Sequence, residues 1–190
     1  MKAAAYGSYE GGLRELIHLL KYDGVRPAAN LLGRMLSDAI VPLQPLFSAG
    51  TVLVVPVPLY TAKRRQRGFN QAEMIARAAL KLQPSARFEL KLALERTRET
   101  HSQIGLSRHQ RRENLRGAFQ VSDPQAVRGR DILLVDDVFT TGTTVSECAR
   151  VLRRAGTAKV YVATVARTLK LEAQAARLQP EVGMTMAAAS

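Results

Sequence analysis

The apolar positions of this chain fall into short continuous runs separated by stripes at helical spacing. Residues 52–59, 132–135 and 160–165 are runs of mostly apolar side chains. The run at 132–135 is long enough for one buried strand and too short for a helix. Residues 88–94 alternate apolar and polar positions, and residues 119–121 form a further short segment, so about five strands are predicted. Runs of branched apolar residues are typical of strands covered on both faces, as in a parallel sheet.

Between the predicted strands, apolar residues recur at i, i+3, i+4 and i+7, the spacing of an amphipathic helix. Such stripes lie within residues 10–23, 27–42, 70–82 and 143–155, and Asn70 is placed to cap the third of them. Strands interleaved with helices predict an α/β fold, with a mainly parallel sheet flanked by helices.

Two carboxylates and a threonine-rich turn follow the run at 132–135. Asp136 and Asp137 come first, and the turn stands directly before the fourth helical stripe. The N-terminus of a helix binds anions through its free N–H groups and its dipole. A glycine permits positive φ and close approach, and hydroxyl groups add donors. The turn therefore predicts a site for a phosphate monoester, formed by Thr140, Thr141, Gly142, Thr143 and Thr144.

The two aspartates cannot share that phosphate, because their charges would repel it. Their expected partners are sugar hydroxyls or a divalent cation that prefers oxygen ligands. A phosphorylated ribose with a bound metal satisfies both halves of the stretch. The carboxyl end of a strand is also where open α/β sheets bind ligands.

Charge and composition narrow the expected partners. The chain has 190 residues and a net charge of +12, and residues 61–116 hold fourteen Lys or Arg against five Asp or Glu. A basic segment beside a phosphate site indicates a polyanionic ligand, either pyrophosphate or nucleic acid. The longest apolar run is short and contains two prolines, so no membrane-spanning helix is expected. The single cysteine, Cys148, allows no disulfide within the chain and favours a cytoplasmic location.

The stretch LLVDDVFTTGTT resembles the phosphoribosyl-pyrophosphate (PRPP) signature of type I phosphoribosyltransferases. Further pieces resemble the ComF family of that superfamily: LKYDG after the first helical stripe, then PVPL, RGFNQAE, and GAF at 117–119. The resemblance covers residues 9–167. In the polar segment before GAF it rests on Leu94, Arg96, Arg98, Thr100, Gln103, Leu106, Arg111 and Asn114.

This resemblance implies the type I phosphoribosyltransferase fold. Residues 1–48 would form a small helical hood, residues 49–167 the core and residues 168–190 a tail. Residues 60–71 would form a pyrophosphate loop, and residues 95–117 a flexible loop that closes over PRPP. Lys21 and Tyr22, at the end of the first helix, could either cap it or point at the site, and capping is the simpler interpretation.

The resemblance also implies the roles of the site residues. Asp136 and Asp137 would hold the ribose hydroxyls and, through water or ligand hydroxyls, Mg²⁺. The turn at 140–144 would bind the 5′-phosphate. Pyrophosphate would be bound near Arg64, Arg67 and Gly68 and stabilised by Arg96, Arg98 and Arg111. Replacing Asp137 by Asn is expected to weaken PRPP binding with little loss of stability.

Two functions follow from these expectations. The first is a phosphoribosyltransferase with Mg²⁺, whose acceptor the sequence does not identify. The alternative is a non-catalytic competence factor that binds a nucleotide or single-stranded DNA and works beside a helicase during DNA uptake. Aromatic residues for stacking bases are sparse in the basic segment, which weakens the DNA alternative.

Two further comparisons limit the chemistry. An acid pair after an apolar strand also occurs in phosphorelay receiver domains, but no aspartate follows Asp137 to accept a phosphoryl group. ComF proteins usually carry a zinc ribbon with CxxC pairs near the N-terminus. One cysteine cannot build such a site, so no structural zinc is expected in these residues.

Overall fold

A computed structural model describes residues 1–83, 87–99 and 108–168. Its strands are β1 (Lys2–Ser8), β2 (Val52–Pro56), β3 (Phe88–Leu90), β4 (Leu94–Arg96), β5 (Phe119–Val121), β6 (Asp131–Phe139) and β7 (Lys159–Arg167). Its helices are α1 (Gly11–Tyr22), α2 (Ala28–Ile40), α3 (Thr61–Arg67), α4 (Gln71–Leu80), α5 (Arg108–Leu115), α6 (Pro124–Val127) and α7 (Thr143–Arg154). A 3₁₀ helix, Val41–Leu46, follows α2 directly.

Five strands form one sheet in the order β1-β7-β6-β2-β3, and every neighbouring pair in it is parallel. Alternate side chains of the central strands enter two separate cores. Val54 and Leu133 face α1, α2 and α4, whereas Val55 and Leu134 face α7 and the segment around Leu115. Coverage on both faces explains why the central strands are apolar runs rather than alternating patterns.

The connections reverse direction between β2 and β6. From β2 the chain runs through α3 and α4 to β3 on one side, and from β6 it runs through α7 to β7 on the other. A crevice opens at such a point outside the carboxyl ends of the two strands, and open α/β sheets bind ligands there. Residues 57–60 and 136–142 therefore come together at the rim of the sheet.

Most of the predicted elements are confirmed. The strands predicted at 132–135 and 160–165 and the four amphipathic helices are present, and Asn70 caps α4 by accepting a hydrogen bond from the Ala72 N–H (3.0 Å). The strand predicted at 52–59 ends at residue 56, and only residues 88–90 of the strand predicted at 88–94 belong to the sheet. The sheet of about five parallel strands flanked by helices is therefore as expected.

Two local predictions are wrong, and one strand was not predicted. Residues 119–121 do not return to the sheet but pair with β4 in a separate antiparallel ribbon. Residues 2–8, for which no element is predicted, form the edge strand β1, because pairing with β7 compensates for their small and half-exposed side chains. Residues 61–67 are helical, and Gly68 ends α3 in the left-handed conformation (φ 80°). Residues 100–107 of the predicted flexible loop, and the predicted tail beyond residue 168, lie outside the described residues.

None of the helices within residues 1–83, 87–99 and 108–168 is both long and apolar enough to cross a bilayer.

Helices α2 and α4 pack closely at Gly33. A Cβ added to this buried residue would lie 2.5 Å from Ala78 Cβ and 2.9 Å from Ala79 N. The backbone of α4 therefore approaches α2 where the side chain is missing, and this contact holds α4 against the sheet.

We expect Gly33→Ala to lower the free energy of unfolding by about 1–3 kcal/mol, because overpacking forces the two helices apart. Gly12→Ala, at an exposed helical position with no neighbour within 4 Å, is the matched control. It should leave stability unchanged or raise it by up to about 1 kcal/mol. Urea denaturation of both variants measures the difference, and equal stabilities would contradict the packing argument.

Candidate active site

Asp136 and Asp137 lie at the end of β6, where the strand leaves the buried sheet. Asp137 is buried and Asp136 is partly exposed. The Asp137 N–H donates to Asp136 Oδ1 (2.9 Å), which ties the two residues together. Gln71 Nε2 donates to Asp137 Oδ1 (3.1 Å), and Lys21 Nζ forms an ion pair with Asp137 Oδ2. The acid pair is therefore held by two elements distant in sequence, α1 and α4.

The electrostatics separate the two carboxyl groups. Burial and the adjacent Asp137 charge hold the pKa of Asp136 well above its usual range. Burial also opposes the charge on Asp137, but Lys21 and the hydrogen bonds to this carboxylate lower its pKa below the usual range. The Lys21 ammonium loses hydration by burial, yet Asp137 raises its pKa. Asp137 is thus a fixed anion, and Asp136 is the carboxyl group whose charge responds to a ligand.

The threonine-rich turn begins α7 as predicted. Gly142 has φ 72° and stands at the N-cap, where its carbonyl accepts a hydrogen bond from the Ser146 N–H (2.9 Å). A Cβ at this position would lie 2.6 Å from Phe139 Cζ. The hydroxyls of Thr141 and Thr143 are hydrogen-bonded to each other (2.8 Å). Both the conformation and the space at residue 142 therefore require glycine.

Two clefts adjoin these residues. One, of about 310 Å³, lies beside the turn and is lined by Arg112, Thr141, Thr143, Ser146, Glu147 and Arg150. The other, of about 240 Å³, lies on the side of α1 and α3 and is lined by Lys21, Tyr22, Gly24, Lys63, Gln66, Arg67 and Phe69. The second cleft contains three cations and no carboxylate, so it favours an anionic ligand.

Glu147 fixes the first cleft. Its carboxylate accepts hydrogen bonds from Arg150 Nε and Nη2 (2.8 and 2.6 Å) and from the Gly117 N–H (2.9 Å). The bonds from Arg150 lower the pKa of Glu147. This residue joins α7 to the segment that follows α5, and its charge is compensated within the protein.

The predicted pyrophosphate residues have different surroundings. Arg67 lies in the second cleft, with its guanidinium 5.6 Å from the centre of the Tyr22 ring and Nη1 donating to Gln71 Oε1 (2.6 Å). Arg64 is largely exposed, and its Nη2 lies 3.8 Å from Glu73 Oε2. Gly68 ends the helix that carries both arginines.

The arginines of the predicted flexible loop also differ from one another in their contacts. The Arg96 guanidinium lies 5.6 Å from the centre of the Phe119 ring; burial lowers the pKa of Arg96, and the negative charge of Asp136 opposes this shift. Arg98 Nη2 donates to the carbonyls of Asn114 and Arg116 (2.9 and 3.0 Å), so its described contacts hold the end of α5. Arg111 belongs to α5, and its side chain lies outside the described part of the structure.

Sequence reasoning missed Lys21 and Gln71 as site residues. The interpretation of Lys21 as a capping residue is wrong, because its ammonium group contacts Asp137. In the sequence, only the position of Lys21 within LKYDG indicated a role in the site. Gln71 follows Asn70, whose capping role explained that stretch of sequence without a further role for Gln71. The structure also changes the expectation for Asp137: replacing it by Asn would leave a buried lysine without its partner, which costs about 3–5 kcal/mol in comparable pairs.

The residues fit a hydrated magnesium ion better than a dedicated metal cage. Within the described ranges, no group of three or more His, Cys, Asp and Glu side chains could hold a metal. Mg²⁺ commonly keeps several waters and is bound through one or two carboxylates together with ligand phosphates. Asp136, the more exposed of the pair, is the natural contact for such an ion.

Comparisons with known proteins show the family to which the chain belongs. The family model of the phosphoribosyl transferase domain matches residues 67–182. The DNA utilization protein YhgH of Escherichia coli K12 is 38% identical over 168 residues, which cover 85% of this chain and 70% of the relative. Competence protein ComFC of Bacillus subtilis is 27% identical over 153 residues, covering 80% of this chain and 58% of ComFC.

Among solved structures, a hypoxanthine phosphoribosyltransferase from Staphylococcus aureus is 12% identical, with a TM-score of 0.47, and the alignment covers 72% of this chain and 62% of that one. This likeness is too distant to bear on the site. The family match and the site at the end of β6 define a phosphoribosyltransferase domain. Within that family, the chain belongs to the ComF-like competence and DNA utilization proteins.

The raised pKa of Asp136 predicts that this residue costs stability at neutral pH. A group whose pKa is raised by folding favours the folded state only while protonated, so stability is lost as pH rises from the unfolded pKa of about 4 through the folded value. We expect Asp136→Asn to be more stable than the wild type at pH 7.5 and equal to it below about pH 4. Urea denaturation at both pH values measures this gain.

Asp38→Asn removes an exposed carboxylate from α2 and controls for the change in net charge. A gain in stability for Asp136→Asn that does not depend on pH would contradict the electrostatic argument.

Proposed function

We propose that this chain binds PRPP together with Mg²⁺ and transfers the phosphoribosyl group to an acceptor. One observation carries the proposal: the acid pair and the glycine turn follow each other along β6 and α7 at the point where the sheet connections reverse. The acid pair and the turn adjoin each other at the end of one strand. The ribose hydroxyls and the 5′-phosphate adjoin each other in the same way within one ligand. The family match and the cationic second cleft support the same ligand.

In this proposal each part of PRPP has its own partner. The backbone of the turn and the hydroxyls of Thr141 and Thr143 bind the 5′-phosphate. Asp136 accepts hydrogen bonds from the ribose, and Asp137 supports it through the backbone N–H that donates to Asp136. Lys63 and Arg67, in the second cleft, bind the diphosphate. The roles carried over for Arg96, Arg98 and Arg111 remain predictions.

The reaction would break the bond between C1 of the ribose and the diphosphate oxygen, while the acceptor forms a bond to C1 from the opposite face. Pyrophosphate leaves with the bonding electrons. Mg²⁺, when bound, would neutralise charge on the diphosphate and so help it to leave. The residues described above need only position the ligand and stabilise developing charge, so no protein nucleophile is required.

Calorimetric titration with PRPP, in the presence and absence of Mg²⁺, tests the proposal. We expect binding that is strengthened by Mg²⁺ in the wild type and reduced at least tenfold in the Asp136→Asn/Asp137→Asn double variant, because the carboxylate that accepts from the ribose and the adjacent anion that pairs with Lys21 are both lost. Circular dichroism of the double variant verifies that it is folded. Absence of PRPP binding to the folded wild type would overturn the proposal.

The phosphate turn can be tested separately. Gly142→Val should abolish PRPP binding, since its side chain would meet the Phe139 ring and disfavour the positive φ that the turn needs. Gly129→Val is the matched control, because it has similar backbone strain (φ 67°), no neighbour within 4 Å and no place in the turn. Unchanged PRPP affinity in Gly142→Val would mean that the turn does not bind the phosphate.

A second candidate function is non-catalytic binding of a nucleotide or of single-stranded DNA, in the context of DNA uptake. It is favoured by α3, which carries Lys63, Arg64, Arg65 and Arg67 within seven residues and buries none of its side chains. The relative from Escherichia coli K12 is a DNA utilization protein, which supports the same candidate. Binding of a labelled oligonucleotide that weakens steeply with salt, without PRPP binding, would favour this candidate.

A further inference from the structure

We propose that Lys21 is the resident cation of the acid pair. Its ammonium group, delivered by α1, supplies to Asp137 the positive charge that a directly coordinated divalent metal would otherwise supply. Asp136 is then the only carboxylate of the pair that is open to a metal. The inference deepens the proposed function, on which its meaning for catalysis rests, but the contact itself belongs to the protein without ligand.

Both oxygens of Asp137 are occupied by protein donors. Gln71 Nε2 donates to Oδ1 (3.1 Å) and Lys21 Nζ contacts Oδ2. The Asp137 side chain is 5% exposed and that of Lys21 is 19% exposed, so little water reaches the pair. A magnesium ion binds oxygen at about 2.0–2.1 Å. Such an ion, with its waters, would have to compete with these two donors for a carboxylate that is almost completely buried.

The position of Lys21 is fixed by the packing of α1. Ile17 and Leu20, on the apolar face of this helix, are buried in the core that covers the sheet. Lys21 follows Leu20 directly, in the last turn, and its long side chain extends to the end of β6. The anchored helix thus places a cation beside Asp137.

A second path from the same helix end reaches the other oxygen of Asp137. Tyr22 packs against the Arg67 guanidinium, Arg67 donates to Gln71 Oε1, and Gln71 donates to Asp137 Oδ1. The two paths hold the carboxylate from both sides. Such an arrangement is expected of an anion that must stay in place while a ligand binds beside it.

Lys21 also lines the second cleft, together with Lys63 and Arg67. An ammonium group has three donors, so the contact with Asp137 leaves up to two for oxygen atoms of an anionic ligand. Lys21 can therefore bridge Asp137 and a diphosphate bound in the second cleft.

Binding of Mn²⁺ to the protein without PRPP tests this inference, with Mn²⁺ used as the probe for a divalent cation. We expect the wild type to bind it weakly and Lys21→Met to bind it at least tenfold more tightly, because Asp137 becomes available as a ligand. Lys21→Arg keeps the cation and should behave as the wild type. The Lys21→Met/Asp137→Asn variant should return to weak binding. Electron paramagnetic resonance of free Mn²⁺ measures all four affinities.

Two results would overturn the inference: Lys21→Met binding Mn²⁺ no more tightly than the wild type, or tight binding that survives in the double variant. Lys21→Met could fail to fold, so the wild type provides a second measurement. The ¹⁵N signal of the Lys21 ammonium, assigned by its absence in Lys21→Arg, should not move when Mg²⁺ is added at millimolar concentration. A shift to the value of solvent-exposed lysines would show that the metal displaces Lys21 and would contradict the inference.

Measurements of PRPP binding distinguish this inference from the proposed function. If the wild type binds PRPP, the PRPP affinity of Lys21→Met should depend more steeply on the Mg²⁺ concentration than that of the wild type. The variant should lose at least tenfold in PRPP affinity at low Mg²⁺ and largely recover it at high Mg²⁺. A loss that high Mg²⁺ does not recover would contradict the inference. If the wild type does not bind PRPP but the Mn²⁺ results are as expected, the proposed function fails and the role of Lys21 stands.

Discussion

The ion pair between Lys21 and Asp137 is the contact on which the geometry of the site depends. It joins α1 to the end of β6, the central strand of the sheet. Asp137 is almost completely buried, and a buried carboxylate is tolerated only when a cation and hydrogen bonds replace its water. Lys21 and Gln71 provide these, so the apolar packing of α1 and α4 places the two side chains that keep Asp137 charged at the end of β6.

The ion pair with Lys21 also gives the two adjacent carboxyl groups different roles. Two charges on neighbouring residues repel, and Lys21 forms its ion pair with Asp137. Asp137 keeps the structure together, whereas Asp136 retains the ability to change its charge and its partners. The pair therefore combines a structural anion with a binding carboxyl group, and their separation comes from the environment rather than from the residue type.

Contiguous features of the site could be predicted from the sequence, and features that depend on tertiary contact could not. Asp136, Asp137 and the turn around Gly142 lie within one strand, turn and helix, so local pattern and chemistry were sufficient. Gln71 lies 66 positions from Asp137, and nothing local marks it as a partner. The fold shows the same division. The buried strands β2, β6 and β7 have strong apolar runs, whereas β1, with three alanines and a glycine, is a strand only because β7 pairs with it.

The pairing of β1 with β7 has a consequence for the order of assembly during synthesis. Lys2 lies opposite Tyr161 and Ser8 opposite Arg167, and the Tyr9 N–H donates to the Arg167 carbonyl (2.9 Å). The strand that leads into α1 therefore has no partner until residues 159–167 have left the ribosome, and contacts so far apart in sequence form slowly. The nascent chain would make its acid pair before α1 can be docked to supply Lys21. The rim of the sheet that holds the acid pair would thus become complete only after β7 has formed.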